Sequence, residues 1–301
     1  IITTSKSNRV ALSEPYIYPW SNGESASLDN QNLFEISQKL IQSQKELVLN
    51  WEKILGRKIT FSNLIDRGFP LPYSRNRNIP INVKTNVTDY LDLCNQIIES
   101  EKTRQVVIFD MDGTLYQLDG QNNTYIGSTL ESTVNQNLLD FICRQESISP
   151  DQALEIFQQA ISDPTCASQF LSKRYNISRT QYFNQVWDIN PKNILKNYQD
   201  SIQTINNIPQ SIKLILLSSA PKIWMDKVID FLGIKDRFET IYSGEDFQSK
   251  TEIFQKISKL YQPQNITSVG DQEETDIKPA VSLGLKTLLI QQPQDISKIS
   301  Y

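Results

Sequence analysis

At 301 residues the chain is long enough to bury a sizeable core and exceeds the usual size of one domain, so two or three structural units are expected. Hydrophobic residues make up 39% and charged residues 21%, as in globular proteins, and the formal net charge of -4 argues against a general nucleic-acid or anionic-membrane binder. Histidine is absent, which excludes Ser-His-Asp and Cys-His catalytic sets, a phosphohistidine and His-ligated zinc, leaving acid and base work to carboxylates and any metal to oxygen ligands.

The chain opens on Ile1 rather than Met, as a trimmed or processed product would, and its first residues show no secretory apolar region. Residues 1 to about 30 read as irregular, because Pro15, Pro19 and Asn22-Gly23 break any period. Tyr16, Tyr18 and Trp20 make an aromatic segment suited to burial on the protein's own surface. Apolar residues from Leu33 to Leu55 then recur at three- and four-residue spacings, which predicts an amphipathic helix ending near Gly56. Pro70, Pro72 and Pro80 make 59–83 a long loop, whose Arg75 and Arg77 are read as solvated. A second helix is expected from Thr88, taken as its N-cap, to Ser100.

Gln105–Phe109 reads as a buried strand that delivers Asp110 and Asp112 at its carboxyl end, with Gly113 permitting a sharp turn. From Leu118 to Pro209 the spacing is helical almost throughout, with expected helices over Leu130–Arg144, Pro150–Ile161, Cys166–Arg174, Ser178–Trp187 and Asn193–Gln199. Strand and helix alternate again from Lys213. The expected strands are Lys213–Leu217, Glu239–Tyr242, Asn265–Val269 and Lys286–Ile290, and the expected helices Pro221–Leu232, Thr251–Tyr261 and Asp276–Leu283. Such alternation predicts an α/β fold with a parallel sheet and an inserted helical unit. The three cysteines, Cys94, Cys143 and Cys166, are widely spaced and odd in number, which suits reduced thiols and a cytoplasmic protein. No apolar run approaches the length that spans a bilayer, so no membrane partner is expected.

Four polar signals stand at the ends of separate elements. They are Asp110 with Asp112, Ser218 with Ser219 after Leu214–Leu217, Lys250 at a helix start, and Gly270-Asp271 with Asp276 after Ile266–Val269. In a parallel sheet these ends share one side and converge on a cleft. Carboxylates crowded there repel one another unless a cation such as magnesium bridges them. A serine hydroxyl and a lysine charge suit a phosphoryl group.

In that order the motifs resemble the haloacid dehalogenase-like (HAD) superfamily of phosphohydrolases over residues 105 to about 291. Asp110-Met111-Asp112-Gly113-Thr114 stands at its DxDGT signature, Ser218 at the strand-end serine or threonine, Lys250 at its lysine, and Gly270 to Asp276 at GDxxxxD. The resemblance implies that Asp110 is a nucleophile forming an aspartyl-phosphate and Asp112 the general acid and base. It implies that Asp110, the Asp112 carbonyl and Asp271 hold magnesium with support from Asp276, while Ser218 and Lys250 bind the phosphoryl group; Ser219 competes for the same task. It further implies a Rossmann-like core of 105–118 and 211–301, a helical cap of 119–210 and an N-terminal extension of 1–104.

A halide leaves without a proton donor whereas an alkoxide needs one, so Asp112 favours a phosphatase over a dehalogenase. Asp112-Gly113-Thr114-Leu115-Tyr116, with Ser168–Leu171 before Tyr175-Asn176-Ile177, is similar to the pyrimidine 5'-nucleotidase-like branch. The loop Gln117–Asn123 is longer and more polar than in that branch. The expected function is magnesium-dependent hydrolysis of a small phosphorylated metabolite, such as a nucleoside 5'-monophosphate. The alternative is a catalytically silent interaction module working through residues 1–104. Oligomeric state carries no signal.

Overall fold

The computed structural model describes residues 33–60 and 86–299. Those up to Thr103, with Lys259–Tyr261, form one compact unit, and Arg104–Ser258 with the described residues from Gln262 onward form another. Tyr16, Tyr18, Trp20, Arg75 and Arg77 lie outside the described residues.

In the first unit α1 (Leu33–Leu55) packs against α2 (Val87–Lys102). Ile41 and Val48 of α1 and Leu91 and Cys94 of α2 are buried, and Lys45 reaches Asp92 at 2.5 Å. The N-cap of α2 is Asn86 rather than Thr88, which sits buried inside the helix. Asn86 is held there by an isolated bridge to Thr60, so pairing between chain segments outweighs the capping preference of threonine.

The second unit is built on five parallel strands in the order β3-β2-β1-β4-β5. They are β1 (Val106–Phe109), β2 (Lys213–Leu217), β3 (Thr240–Tyr242), β4 (Ile266–Gly270) and β5 (Lys286–Leu289). All side chains of β1 and β4 are buried, as strands covered on both faces require. Each fully buried aliphatic or aromatic side chain there is worth about 1.5–3 kcal/mol. Phe109 lies level with Leu216 of β2 and Val269 of β4. β2 and β4 each run one residue further, so the chain leaves the three strands at nearly one height and residues 110, 218 and 271 start the loops on one edge.

Between β1 and β2 stand α3 (Thr129–Glu146), α4 (Pro150–Ser162), α5 (Ala167–Tyr175), α6 (Arg179–Val186) and α7 (Gln199–Asn207). Ser128 caps α3 by accepting from the Glu131 amide at 3.1 Å, and Ser178 forms a capping box with Gln181. The expected helix Asn193–Gln199 is absent. Pro191–Asn193 is a single 3-10 turn capped by Asn190, and Asn197 takes φ +50, a left-handed conformation that stops a helix. The helix begins two residues later as α7, which packs against the turn Pro293–Lys298.

After β2 come α8 (Lys222–Leu232), α9 (Lys250–Leu260) and the short α10 (Lys278–Ser282), the last entered through a π-helical turn over Glu273–Ile277. Cys94, Cys143 and Cys166 are free thiols. No described helix is long and apolar enough to cross a membrane.

Candidate active site

Strand order reverses beside β1, which has β2 on one side and β4 on the other, and such a switch point opens a crevice at the carboxyl edge. Asp110 enters it directly from β1. Its amide donates to the Val269 carbonyl at 2.8 Å, extending the β1–β4 ladder by one bond. The chain then turns back on itself, the Thr114 and Leu115 amides both donating to the Met111 carbonyl at 3.2 and 2.8 Å. Gly113 takes φ +82, and a Cβ there would lie 2.5 Å from Asp271 Oδ2. Only glycine brings this turn so close to the neighbouring carboxylate.

Lys250, at the start of α9, reaches across the crevice. Its Nζ is 2.5 Å from Asp110 Oδ1 and 2.6 Å from Asp276 Oδ1, with all three residues buried. Asp276 is fixed further by the Gln272 amide, which donates to Oδ2 at 3.1 Å. Gly270 permits this approach, since a Cβ there would lie 2.3 Å from Asp276 Oδ2. Thr114 Oγ1 donates to Asp271 Oδ1 at 3.2 Å and stands 3.5 Å from Asp110 Oδ2.

One oxygen each from Asp110, Asp271 and Asp276 lies within 4.8 Å of the others. Burial pushes all three carboxyls up, and neighbouring carboxylates add to it: Asp112 at Asp110, Asp110 and Asp276 at Asp271, which rises to about 8, and Asp110 at Asp276, which rises to about 6. Lys250 opposes the rise at Asp110 and Asp276; burial works against its own charge, but the two aspartates outweigh that and hold its pKa above the ordinary value. Three carboxylates against one ammonium leave an excess of negative charge among oxygen donors alone. That donor set fits a hard divalent cation such as magnesium.

Asp112 does not join this cluster through its side chain. Oδ1 accepts from the Tyr116 hydroxyl and from Trp224 Nε1 at 3.0 Å, and Oδ2 from Ser218 Oγ at 3.3 Å. Burial raises its pKa although these hydrogen bonds favour the anion. Ser218 is buried, its Oγ accepting from the Ala220 amide at 3.1 Å, whereas Ser219 is exposed. Glu273 and Glu274 are exposed and pair with Lys278.

The sequence names Tyr116 within a motif and Asn123 within the polar loop without giving either a role of its own, and leaves Trp224 unmarked. Tyr116 follows Asp112 by four residues, and Trp224 lies on the apolar face of α8, where an aromatic reads as core. Asn123 is buried with φ +64; its Nδ2 donates to the Gly113 carbonyl at 2.6 Å and its Oδ1 accepts from the Leu118 amide at 2.7 Å. The polar loop is thus tied to the turn that follows β1. The pair Asn122-Asn123 was the available signal, since asparagine tolerates left-handed backbone and both take positive φ.

A separate cleft of about 970 Å³ opens between the α5–α6 region and Gly244–Gln248, lined by Gln169, Arg179, Glu245, Asp246, Gln248 and Glu252 among others.

The profile of a family described as haloacid dehalogenase-like hydrolase matches residues 107–290, more than half of the chain. No curated protein matches. Among solved structures, a HAD-hydrolase of Bacillus subtilis bound to magnesium is similar at 19% identity, over 63% of this chain and 87% of its own, with a TM-score of 0.37. A protein from Lactobacillus plantarum described as a phosphoglycolate phosphatase is 17% identical over 65% and 99%, with a TM-score of 0.39. L-2-haloacid dehalogenase from Xanthobacter autotrophicus is 17% identical over 62% and 78%, with a TM-score of 0.35.

Proposed function

The chain belongs to the haloacid dehalogenase-like hydrolases, and from that premise we propose that it is a magnesium-dependent phosphomonoesterase working through an aspartyl-phosphate. The observation that carries this reading is the division of labour between two carboxylates two residues apart. Asp110 is gripped by Lys250 in the carboxylate cluster, while Asp112 sits apart in a hydrogen-bonded cradle with a raised pKa. A nucleophile and a proton donor need such different surroundings.

Lys250 holds Asp110 in one rotamer for attack on phosphorus. As the Asp110 oxygen bonds to phosphorus, the bond to the leaving oxygen breaks and its electron pair is met by a proton from Asp112. Asp112 then takes a proton from the water that attacks the aspartyl-phosphate, releasing inorganic phosphate and restoring Asp110. Asp110, Asp271 and Asp276, with the Asp112 carbonyl, are the groups that would hold magnesium, which when bound offsets the charge of carboxylates and phosphoryl oxygens together. Ser218 and Lys250 supply donors to the phosphoryl group, with Ser219 beside them.

The finer assignment is a nucleoside 5'-monophosphate. It is supported by the nucleotidase-like motifs Asp112–Tyr116 and Ser168–Leu171 before Tyr175-Asn176-Ile177. We further assign 105–118 and 211–301 to the catalytic core, 119–210 to the cap, and 1–104 to an extension.

A phosphate-release screen with magnesium over nucleoside mono-, di- and triphosphates and sugar phosphates tests this. Monophosphate turnover that disappears in Asp110→Asn is expected. Absence of turnover on every ester contradicts the phosphatase reading.

A further inference from the structure

Asp112 has more hydrogen-bonding support than an acid at a strand end requires, and all of it on Oδ1 comes from two aromatic side chains. The Tyr116 hydroxyl donates to Oδ1, and the Trp224 indole N–H is shared between Oδ1 at 3.0 Å and the Tyr116 oxygen at 3.2 Å. The three groups form a closed network with Tyr116 and Trp224 both 0% exposed. Packing alone would be served by phenylalanine at either position. A buried phenol and indole N–H each need a partner, and here the partners are one another and Asp112.

The chemistry of the donors decides where an acid proton can sit. An indole N–H only donates, so Oδ1 faces a hydrogen that cannot turn away, and a second from Tyr116. Oδ2 faces Ser218, whose Oγ also accepts from the Ala220 amide at 3.1 Å; a serine hydroxyl rotates and either donates or accepts. Only Oδ2 has a neighbour compatible with both states of the carboxyl.

We propose that Tyr116 and Trp224 are positioning residues that lock the Asp112 side chain and keep its transferable proton on Oδ2. The proposal rests on the reading of Asp112 as the acid that protonates the leaving oxygen. In that step the phosphorus–oxygen bond breaks, its electron pair stays on the leaving oxygen, and the proton on Oδ2 passes to it as Asp110 becomes phosphorylated.

The test compares two esters whose leaving groups differ in their need for a proton. kcat/KM reports the steps through cleavage of the ester bond and excludes the later attack of water. It is measured at saturating magnesium for wild type, Tyr116→Phe and Trp224→Phe, on p-nitrophenyl phosphate and on the best alkyl monoester of the screen. On the alkyl ester kcat/KM is expected to fall on the order of 10-fold or more in each variant, since a positioned acid supplies about 10²–10⁴-fold. On p-nitrophenyl phosphate, whose anion leaves unaided, the fall stays under about threefold. Equal falls on the two esters, or none on either, overturn the proposal, because a packing defect does not distinguish leaving groups. Should Trp224→Phe fail to fold, Tyr116→Phe, which removes one oxygen, carries the same comparison. A wild type that cleaves neither ester defeats the phosphatase reading itself; turnover with equal falls defeats the positioning role alone.

Discussion

Asp110 and Asp112 are separated by one buried methionine, yet their surroundings share almost nothing. The first faces Lys250, Thr114 and two more carboxylates; the second faces a phenol, an indole and a serine. The acidic pair was legible in the sequence because a buried apolar run rarely ends in two carboxylates before Gly-Thr. The cradle around Asp112 was not, because Tyr116 and Trp224 are large aromatics whose polar tips become visible only when α8 is docked beside the β1 loop. At this scale the close approach of Gly113 to Asp271 gives a prediction. Gly113→Ala forces a positive φ and a contact of 2.5 Å, at a cost of about 1–3 kcal/mol. Magnesium affinity measured by calorimetry should drop along with thermal stability, whereas unchanged values of both would show that the turn is more yielding than described.

At the scale of elements, β1 and β2 were readable because parallel strands covered on both faces carry unbroken apolar runs, and the other strands because they alternate with helical spacing. All five strands lie within one residue of their expected ends. Local pattern failed at α7. Its sequence is mostly polar, and what makes it a helix is packing against Pro293–Lys298, about ninety residues away, together with the left-handed break at Asn197. The loop Gln117–Asn123 is a similar case, since its length and polarity were visible but its anchoring to Gly113 was not. Replacing Asn123 by alanine leaves the buried Leu118 amide and the Gly113 carbonyl without their partners. Each such loss costs about 1–3 kcal/mol. Chemical denaturation of Asn123→Ala should therefore show a lower midpoint with an unchanged slope, accompanied by reduced kcat. A variant as stable and active as wild type would mean that the loop is held by other contacts.

For the molecule as a whole, the buried carboxylates make stability depend on pH and on cation together. Asp271 and Asp276 have folded-state pKa values of about 8 and about 6, raised by burial and by repulsion from Asp110. Both exceed the unfolded value of about 4. A raised carboxyl binds its proton more tightly when folded, so its contribution favours folding below the unfolded pKa and is lost as pH rises through the folded one. Between pH 6 and pH 8 the metal-free protein should lose Tm from Asp271. A divalent cation competes with that proton, so the rise in Tm on adding magnesium should be larger at pH 8 than at pH 6, and Asp271→Asn should flatten the difference. Equal shifts at the two pH values, or a larger one at pH 6, would separate these carboxylates from magnesium binding.

The central claim is that Asp110 becomes phosphorylated, and one variant exposes that event directly. With p-nitrophenyl phosphate the first step needs no proton, so Asp112→Asn should still transfer the phosphoryl group but lack the base that activates water. Acid-quenched protein should then carry one phosphoryl group on the peptide containing Asp110, identified by mass spectrometry. Hydrolysis that proceeds in this variant with Asp110 unmodified, or a wild-type rate retained by Asp110→Asn, would contradict the account.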